Sequence, residues 1–143
     1  MIYTEQTVKA LRLCYEAHKG QYDKSGVPYV FHPLHLAEQM DDEDSIVAAL
    51  LHDVVEDTDY SLEDLRRMGF PPRALEAVAL LTHDPAEPYL DYVARVKTNP
   101  LAKAVKLADL RHNSDLSRID RVTRRDLDRV EKYAAAIRLL ETE

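Results

Sequence analysis

The sequence predicts an all-α protein with a single domain, and three observations support this prediction. Three glycines in 143 residues leave few positions for the tight turns that join β-strands. No segment alternates apolar and polar residues for long enough to form a half-buried strand. Apolar residues recur instead at helical spacing, and a chain of this length forms one hydrophobic core by default.

Caps, prolines and glycines predict where each helix begins and ends. Val8, Leu11 and Tyr15 follow the spacing of one helix face, which predicts a first helix from about Thr4 to His18. A loop follows over residues 20–29, and Pro33 suits the first turn of a short helix that runs to Met40. The remaining helices are predicted over residues 41–56, 61–69, 72–81, 88–99, 100–114 and 123–140.

The acidic residues of this chain are concentrated in one segment. The formal net charge is −7, yet eleven acidic residues and no lysine or arginine fall between Glu38 and Asp64. The rest of the chain carries 19 basic and 15 acidic residues, so it is mildly basic. This balance lacks the broad basic surface of a nucleic-acid-binding protein, and we expect no nucleic-acid partner.

Compartment and membrane association follow from the cysteine count and the apolar runs. The longest apolar run, residues 46–51, is far too short to span a bilayer, and the N-terminus shows no secretory signal. Cys14 is the single cysteine, which excludes an internal disulfide and agrees with a reducing compartment. We therefore expect a cytoplasmic protein with no membrane partner. No feature of the sequence predicts an oligomeric state.

The segment 46–57, most of which belongs to the predicted helix 41–56, combines a buried half with a polar end. Its first half is apolar on every side, but His52, Asp53, Glu56 and Asp57 then follow on one side. Three carboxylates near the C-terminus of a helix repel one another and are disfavoured by the helix dipole. A divalent cation would offset both costs, whereas a helix end that emerges into water would simply solvate these groups.

His32 and Asp109 are the other candidate metal ligands. His32 precedes Pro33 at the predicted junction of a loop and a helix, where its ring could point inward. Asp109 lies among apolar residues at helical spacing, so it must be paired or metal-bound if that helix is buried. The alternatives are an ordinary partly buried histidine, and for Asp109 exposure or a salt bridge to Lys106 or Arg111.

A site made of His32, His52, Asp53 and Asp109 would offer two imidazoles and two carboxylates. This mixed set suits Mn²⁺, Fe²⁺, Co²⁺ or Zn²⁺ better than Ca²⁺ or Mg²⁺. Four protein ligands leave room for water only at higher coordination numbers, which favours Mn²⁺ or Fe²⁺. The sequence contains no HExxH motif and no CxxC pair, so a metalloprotease or a structural zinc site has no support.

These residues resemble the H…HD…D signature of the HD-domain phosphohydrolases. The surrounding residues are more specific, because the segments 18–21, 24–26 and 28–34 resemble the start of the hydrolase domain of RelA/SpoT-type alarmone enzymes. Residues 48–58 are similar to the HDxxED core of that domain, and residues 105–113 resemble its closing segment. The resemblance covers about residues 17–113, and the closer likeness is to stand-alone small alarmone hydrolases.

The resemblance implies a helical bundle of the HD type and a hydrolytic function. It implies one Mn²⁺-like ion bound by His32, His52, Asp53 and Asp109, with Fe²⁺, Co²⁺ or Zn²⁺ as alternatives. Glu56 and Asp57 would orient and activate a water that attacks phosphorus. Lys24, Ser25 and Asn113 match or adjoin positions that contact the substrate, a small phosphorylated nucleotide such as a guanosine 3′-pyrophosphate.

Two positions depart from the family pattern, and a second function stays open. The family has an arginine where this chain has Asp23, and usually another where this chain has Asp115. A carboxylate beside a polyphosphate adds repulsion, so guanosine recognition transfers less directly than the metal site. The alternative function is a sensor that binds metal and nucleotide with little turnover. The presence of Glu56 and Asp57 argues against that alternative.

Overall fold

The computed structural model describes residues 1–143 and is all-α, as predicted. Nine α-helices and one 3₁₀ turn account for the regular structure, and the only β-type pairing is an isolated bridge between Tyr22 and Pro28. No helix combines the length and the apolar character that crossing a bilayer requires. The helices are α1 Glu5–Ala17, α2 Phe31–Glu38, α3 Glu43–Leu51, α4 Val54–Asp57, α5 Leu62–Arg67, α6 Pro72–Leu81, α7 Tyr89–Lys97, α8 Pro100–Asn113 and α9 Arg124–Glu141, with a 3₁₀ turn over Leu116–Arg118.

Most predicted boundaries hold to within two residues because local capping groups set them. The hydroxyl of Thr4 accepts a hydrogen bond from the amide of Thr7 at the start of α1. Asp42 and Ser61 cap α3 and α5 in the same way, and in each case the amide of the cap residue also donates to the side chain of the third helical residue. At Gly69 a positive φ of 78° follows the end of α5, a conformation that glycine adopts without steric cost.

The core is built around α3, which contacts α1, α2, α6 and α8. All six residues of the apolar run 46–51 have no exposed surface, which confirms that this half of the helix is buried on every side. The core is completed by buried residues of the surrounding helices, among them Leu36, Val78, Val93 and Leu110. Burial of this central helix brings its C-terminal end, with His52 and Asp53, against α2 and α8.

The prediction of one continuous helix over residues 41–56 is wrong, because the helix is interrupted at His52 and Asp53. Helix α3 ends at Leu51, and α4 begins at Val54. The ring nitrogen Nδ1 of His52 lies 2.6 Å from the carbonyl oxygen of Ala49. An uninterrupted helix would bond that carbonyl to the amide of Asp53. A side chain that inserts into the helical hydrogen-bond ladder is a known cause of such a break.

Candidate metal centre

His32 lies in the first turn of α2, because this helix begins at Phe31, two residues before the predicted start at Pro33. Its side chain is buried, and its two ring nitrogens have different partners. Nε2 lies 2.8 Å from Oδ1 of Asp109, and Nδ1 lies 2.7 Å from Nδ1 of His112. The planes of the two imidazoles differ by 11°, so the rings meet edge to edge through these nitrogens. His32 is therefore held with Nε2 towards the centre of the site.

His52 and Asp53 lie at the break between α3 and α4. Because Nδ1 of His52 bonds to Ala49, its Nε2 is directed towards Asp53 and Asp109. This nitrogen lies 2.9 Å from Oδ2 of Asp53 and 3.7 Å from Oδ1 of Asp109. It is nevertheless buried without a well-aligned hydrogen-bond partner. A histidine that bonds to a backbone carbonyl through one ring nitrogen can bind a metal through the other.

Asp109 occupies the buried face of α8, and only 7% of its surface is exposed. Its Oδ2 lies 2.9 Å from Nζ of Lys106, so the salt bridge considered as an alternative is present. Its Oδ1 accepts a hydrogen bond of 3.0 Å from the side-chain amide nitrogen Nδ2 of Asn113. The same oxygen faces Nε2 of His32. Asp109 is thus both ion-paired and directed at the two histidines.

The three elements α2, α3 and α8 therefore bring the candidate ligands together. The nearest ligand atoms of His32, His52 and Asp109 all lie within 4.8 Å of one another. A second group of three carboxylates, from Asp53, Glu56 and Asp57, meets the same distance limit. Asp53 connects the two groups through its contact with His52.

The electrostatics of this cluster are strongly coupled. Burial alone would lower the pKa of His52, but the carboxylates of Asp53 and Asp109 raise it well above its usual value. Burial would raise the pKa of Asp109, but the ammonium of Lys106 and the two imidazoles lower it well below its usual range. The site thus favours ionised carboxylates that face imidazole nitrogens. This combination of charge and donor atoms suits a divalent cation.

A cleft with a volume of about 220 Å³ is lined by His52, Asp53 and Asp109. Glu56 and Asp57 lie at its exposed edge. Oε1 of Glu56 accepts a hydrogen bond of 2.7 Å from the amide of His83, which fixes the direction of the side chain. Burial, together with the charges of Asp53 and Glu56, raises the pKa of Asp57 to about 6. Asp57 can therefore exchange a proton close to neutral pH.

The three predicted substrate-binding residues do not all line this cleft. Asn113 does, and it also lines a neighbouring cavity. Lys24 and Ser25 line only that neighbouring cavity and others beyond it, and the ammonium of Lys24 pairs with the buried carboxylate of Asp126. The six predicted metal and catalytic residues are therefore brought together, whereas Lys24 and Ser25 lie to one side of them.

Two residues at the cluster were not predicted from the sequence. The hydroxyl of Tyr29 donates a hydrogen bond to Oδ2 of Asp53. The ring of Tyr133 in α9 lines both the cleft and the neighbouring cavity. Tyr29 follows Pro28 inside a segment that resembles the family, so this resemblance could have identified Tyr29 as a candidate site residue. Tyr133 belongs to a helix whose sequence shows ordinary amphipathic spacing, and no local pattern marks it.

Comparison with known proteins shows similarity to HD-domain proteins and to enzymes named for guanosine polyphosphates. A family model described as "HD domain" matches residues 10–83. The chain is 38% identical over 120 residues to a protein of Streptomyces coelicolor named "GTP pyrophosphokinase", an alignment that covers 76% of this chain and 14% of that protein. It is 33% identical over 119 residues to "Guanosine-3′,5′-bis(diphosphate) 3′-pyrophosphohydrolase" of Aquifex aeolicus, which covers 75% of this chain and 17% of that protein.

A solved structure extends the similarity to almost the whole chain. It is described in the words "A metazoan ortholog of SpoT hydrolyzes ppGpp and plays a role in starvation responses". The two structures agree with a TM-score of 0.77 at 28% identity, over 99% of this chain and 88% of the other. The chain spans only about a seventh of the length of the Streptomyces protein.

Proposed function

This chain belongs to the HD-domain family, and we propose that it is a metal-dependent phosphohydrolase that acts on a phosphorylated nucleotide. We further propose that the nucleotide is a guanosine 3′-pyrophosphate. The observation that carries the proposal is the convergence of His32, His52 and Asp109 to within 4.8 Å beside three further carboxylates. The relatives named as guanosine bis(diphosphate) pyrophosphohydrolases, and the metazoan structure described as hydrolysing ppGpp, support this choice of substrate.

In the proposed site, His32, His52, Asp53 and Asp109 hold one divalent ion, which we take to be Mn²⁺. Two imidazole nitrogens and two carboxylates form a mixed donor set, and Nε2 of His52 is buried without a hydrogen-bond partner. A bound ion of this kind lowers the pKa of a coordinated water and offsets the negative charge of a phosphoryl group. Fe²⁺, Co²⁺ and Zn²⁺ suit the same donors and are the alternatives to test.

Glu56 and Asp57 are proposed to orient the attacking water and to accept its proton. Both lie at the mouth of the cleft, and the amide of His83 fixes Glu56 through a hydrogen bond of 2.7 Å. Their carboxylate oxygens lie within 4.8 Å of a carboxylate oxygen of Asp53, so either residue can accept a proton from a water held beside Asp53.

The metal site is tested by measuring bound metal in the purified protein. We expect about one divalent ion per chain after incubation with Mn²⁺, and loss of that ion in Asp53→Ala and in Asp109→Ala. Glu63→Ala is the matched control, because Glu63 is an exposed acidic residue of α5 that pairs only with Arg66 and Arg67. Unchanged metal content in both site variants would contradict the proposed ligands.

The activity is tested with guanosine 3′,5′-bis(diphosphate) and Mn²⁺, by following release of pyrophosphate. Loss of a general base typically reduces turnover by about 10²- to 10⁴-fold. We therefore expect Glu56→Ala to lose turnover by that factor while it retains the metal. A wild-type protein that binds the nucleotide without hydrolysing it would favour the sensor alternative instead. A screen of nucleoside monophosphates and dinucleotides under the same conditions would show whether guanosine is preferred.

A further inference from the structure

A second cavity, with a volume of about 330 Å³, adjoins the metal-centre cleft and is lined by three basic residues. These are Lys24, Arg118 and Arg129. Tyr29, Asn113 and Tyr133 line both spaces, so the cavity and the cleft are direct neighbours. A molecule bound at the metal centre could therefore extend into the basic cavity.

The cavity is lined by more basic than acidic side chains, and Arg118 is the basic residue that has no carboxylate partner. One buried carboxylate, that of Asp126, pairs with Lys24 and lies 3.8 Å from Arg129. Asp23 also lines the cavity, but its Oδ1 accepts hydrogen bonds from the amides of Ser25 and Val27, at 2.8 Å and 3.0 Å. Asp23 is therefore occupied with the turn of its own loop. The guanidinium of Arg118 hydrogen-bonds to a backbone carbonyl and to no carboxylate.

Asp115 helps to place Arg118 at this cavity. Its side chain accepts hydrogen bonds from the amide and the hydroxyl of Ser117, at 3.0 Å and 2.5 Å, and caps the 3₁₀ turn Leu116–Arg118. The turn brings the guanidinium of Arg118 back over α8, where Nε and Nη2 donate to the carbonyl of His112 at 3.2 Å and 2.9 Å. An arginine has five N–H groups, so donors remain for a ligand.

Both departures from the family pattern thus have a local structural role. Asp23 and Asp115 each accept two hydrogen bonds from their own loops, and Asp115 does not line the cavity. Arg118 supplies a cation three residues after Asp115, and its side chain lines the cavity. Desolvation, and then the charges of Arg129 and Arg118, lower the pKa of Lys24, which is the direction expected where cations face one another.

We propose that Arg118 is a specificity-determining residue that binds a phosphate group of the substrate other than the one that is hydrolysed. This inference rests on the proposed function, because it assumes that the reacting phosphorus lies at the metal centre. The planar guanidinium suits bidentate binding of a phosphate, and its position is fixed by the His112 carbonyl. The ligand class is therefore a nucleotide phosphorylated at two separate positions, rather than a simple monophosphate.

A pair of substrates tests this assignment directly. Guanosine 3′,5′-bis(diphosphate) carries the second anionic group, and guanosine 3′-diphosphate with a free 5′-hydroxyl lacks it. In Arg118→Gln the amide keeps a donor for the His112 carbonyl but loses the charge. We expect KM for the bis(diphosphate) to rise about tenfold, the effect of one charge-assisted hydrogen bond, with kcat within twofold. KM for the substrate without 5′-phosphates should stay within twofold of the wild-type value.

Two further variants separate binding from folding. Arg118→Lys keeps the charge without the planar fork and should show an intermediate rise in KM. Arg66→Gln is the matched control, because Arg66 is an exposed arginine of α5 that pairs with Glu63 and lines neither the cleft nor the basic cavity. Its KM values should equal those of the wild-type protein. Melting temperatures of all variants should agree closely, since both arginines are exposed.

The inference is overturned if Arg118→Gln changes KM for neither substrate, or changes it equally for both. Failure of the proposed function gives a different result, namely a wild-type protein that hydrolyses neither nucleotide. In that case the dissociation constants of the same two nucleotides, measured by calorimetry, decide the question. A tenfold weaker constant for the bis(diphosphate) alone in Arg118→Gln would support the role of Arg118, and equal constants would remove it.

Discussion

The ion pair between Lys106 and Asp109 allows a quantitative test of the electrostatics at the metal centre. Nζ of Lys106 lies 2.9 Å from Oδ2 of Asp109, and the two side chains are only 13% and 9% exposed. Lys106→Met removes the charge and keeps most of the side-chain volume. Loss of one partner from a buried pair costs about 3 to 5 kcal/mol. Because His32 and Asn113 remain bonded to Asp109, we expect a decrease of about 3 kcal/mol in the free energy of unfolding.

Mn²⁺ should reverse part of this loss. A ligand that binds only the folded state stabilises it in proportion to the logarithm of its concentration over its dissociation constant. Lys106 competes with a cation for the carboxylate of Asp109, so Mn²⁺ should bind Lys106→Met more tightly than the wild-type protein. Urea unfolding with and without Mn²⁺ measures both quantities. Lys103→Met, a partly exposed position one turn earlier in α8, should change stability by less than about 0.5 kcal/mol.

Two results would refute this reasoning. The first is a free energy of unfolding for Lys106→Met within about 1 kcal/mol of the wild-type value after chelation of metal, which is less than loss of a buried partner costs. The second is an equal gain in stability from Mn²⁺ in both proteins. The double variant Lys106→Met with Asp109→Asn completes the cycle, and we expect a coupling energy above about 1 kcal/mol between residues in direct contact.

Three further predictions concern a metal-ligand contact, a helix cap and the single thiol. His112→Ala should weaken Mn²⁺ binding about tenfold by releasing His32 Nδ1 from its 2.7 Å contact, and unchanged affinity by electron paramagnetic resonance would contradict that role. Asp42→Ala should cost about 1 kcal/mol in urea unfolding. Ser45 lowers the pKa of Asp42 through its hydroxyl and then its amide, so the cap should stabilise fully above the unfolded-state pKa and weaken as pH falls below about 4. Burial, followed by the charge of Asp53, raises the pKa of the Cys14 thiol to about 12. Iodoacetamide at pH 8 should therefore modify Cys14 only after unfolding. Rapid alkylation of the native protein would disprove this.

Helix positions were predictable because short-range contacts set them. The caps at Thr4, Asp42 and Ser61 bond to residues three positions ahead, and these interactions can be seen in any window of the sequence. The break after Leu51 was not predictable in this way. It depends on the ring of His52, whose Nδ1 contacts the Ala49 carbonyl while its Nε2 faces Asp53 and Asp109 from other parts of the fold.

The two departures from the family pattern, at Asp23 and Asp115, also show that sequence alone does not give the positions of charged side chains. Against the family pattern alone, Asp23 and Asp115 count as lost cations, which weakens the case for a polyphosphate substrate. In the folded chain each carboxylate accepts loop hydrogen bonds, and Arg118 comes to line the cavity beside the metal centre. The charge that a ligand meets depends on where side chains point, and a formal count of charges cannot supply that information.

The sequence by itself predicted the helices apart from the break after Leu51, the buried character of residues 46–51 and the identity of the candidate ligands. These properties follow from local periodicity, from capping and from the rarity of carboxylates among apolar residues. Only the tertiary structure decided that His32 and Asp109, 77 residues apart, lie 2.8 Å from each other, and that Lys106 pairs with the same carboxylate. Such contacts depend on how α2, α3 and α8 pack, and packing is a property of the whole core rather than of any one segment.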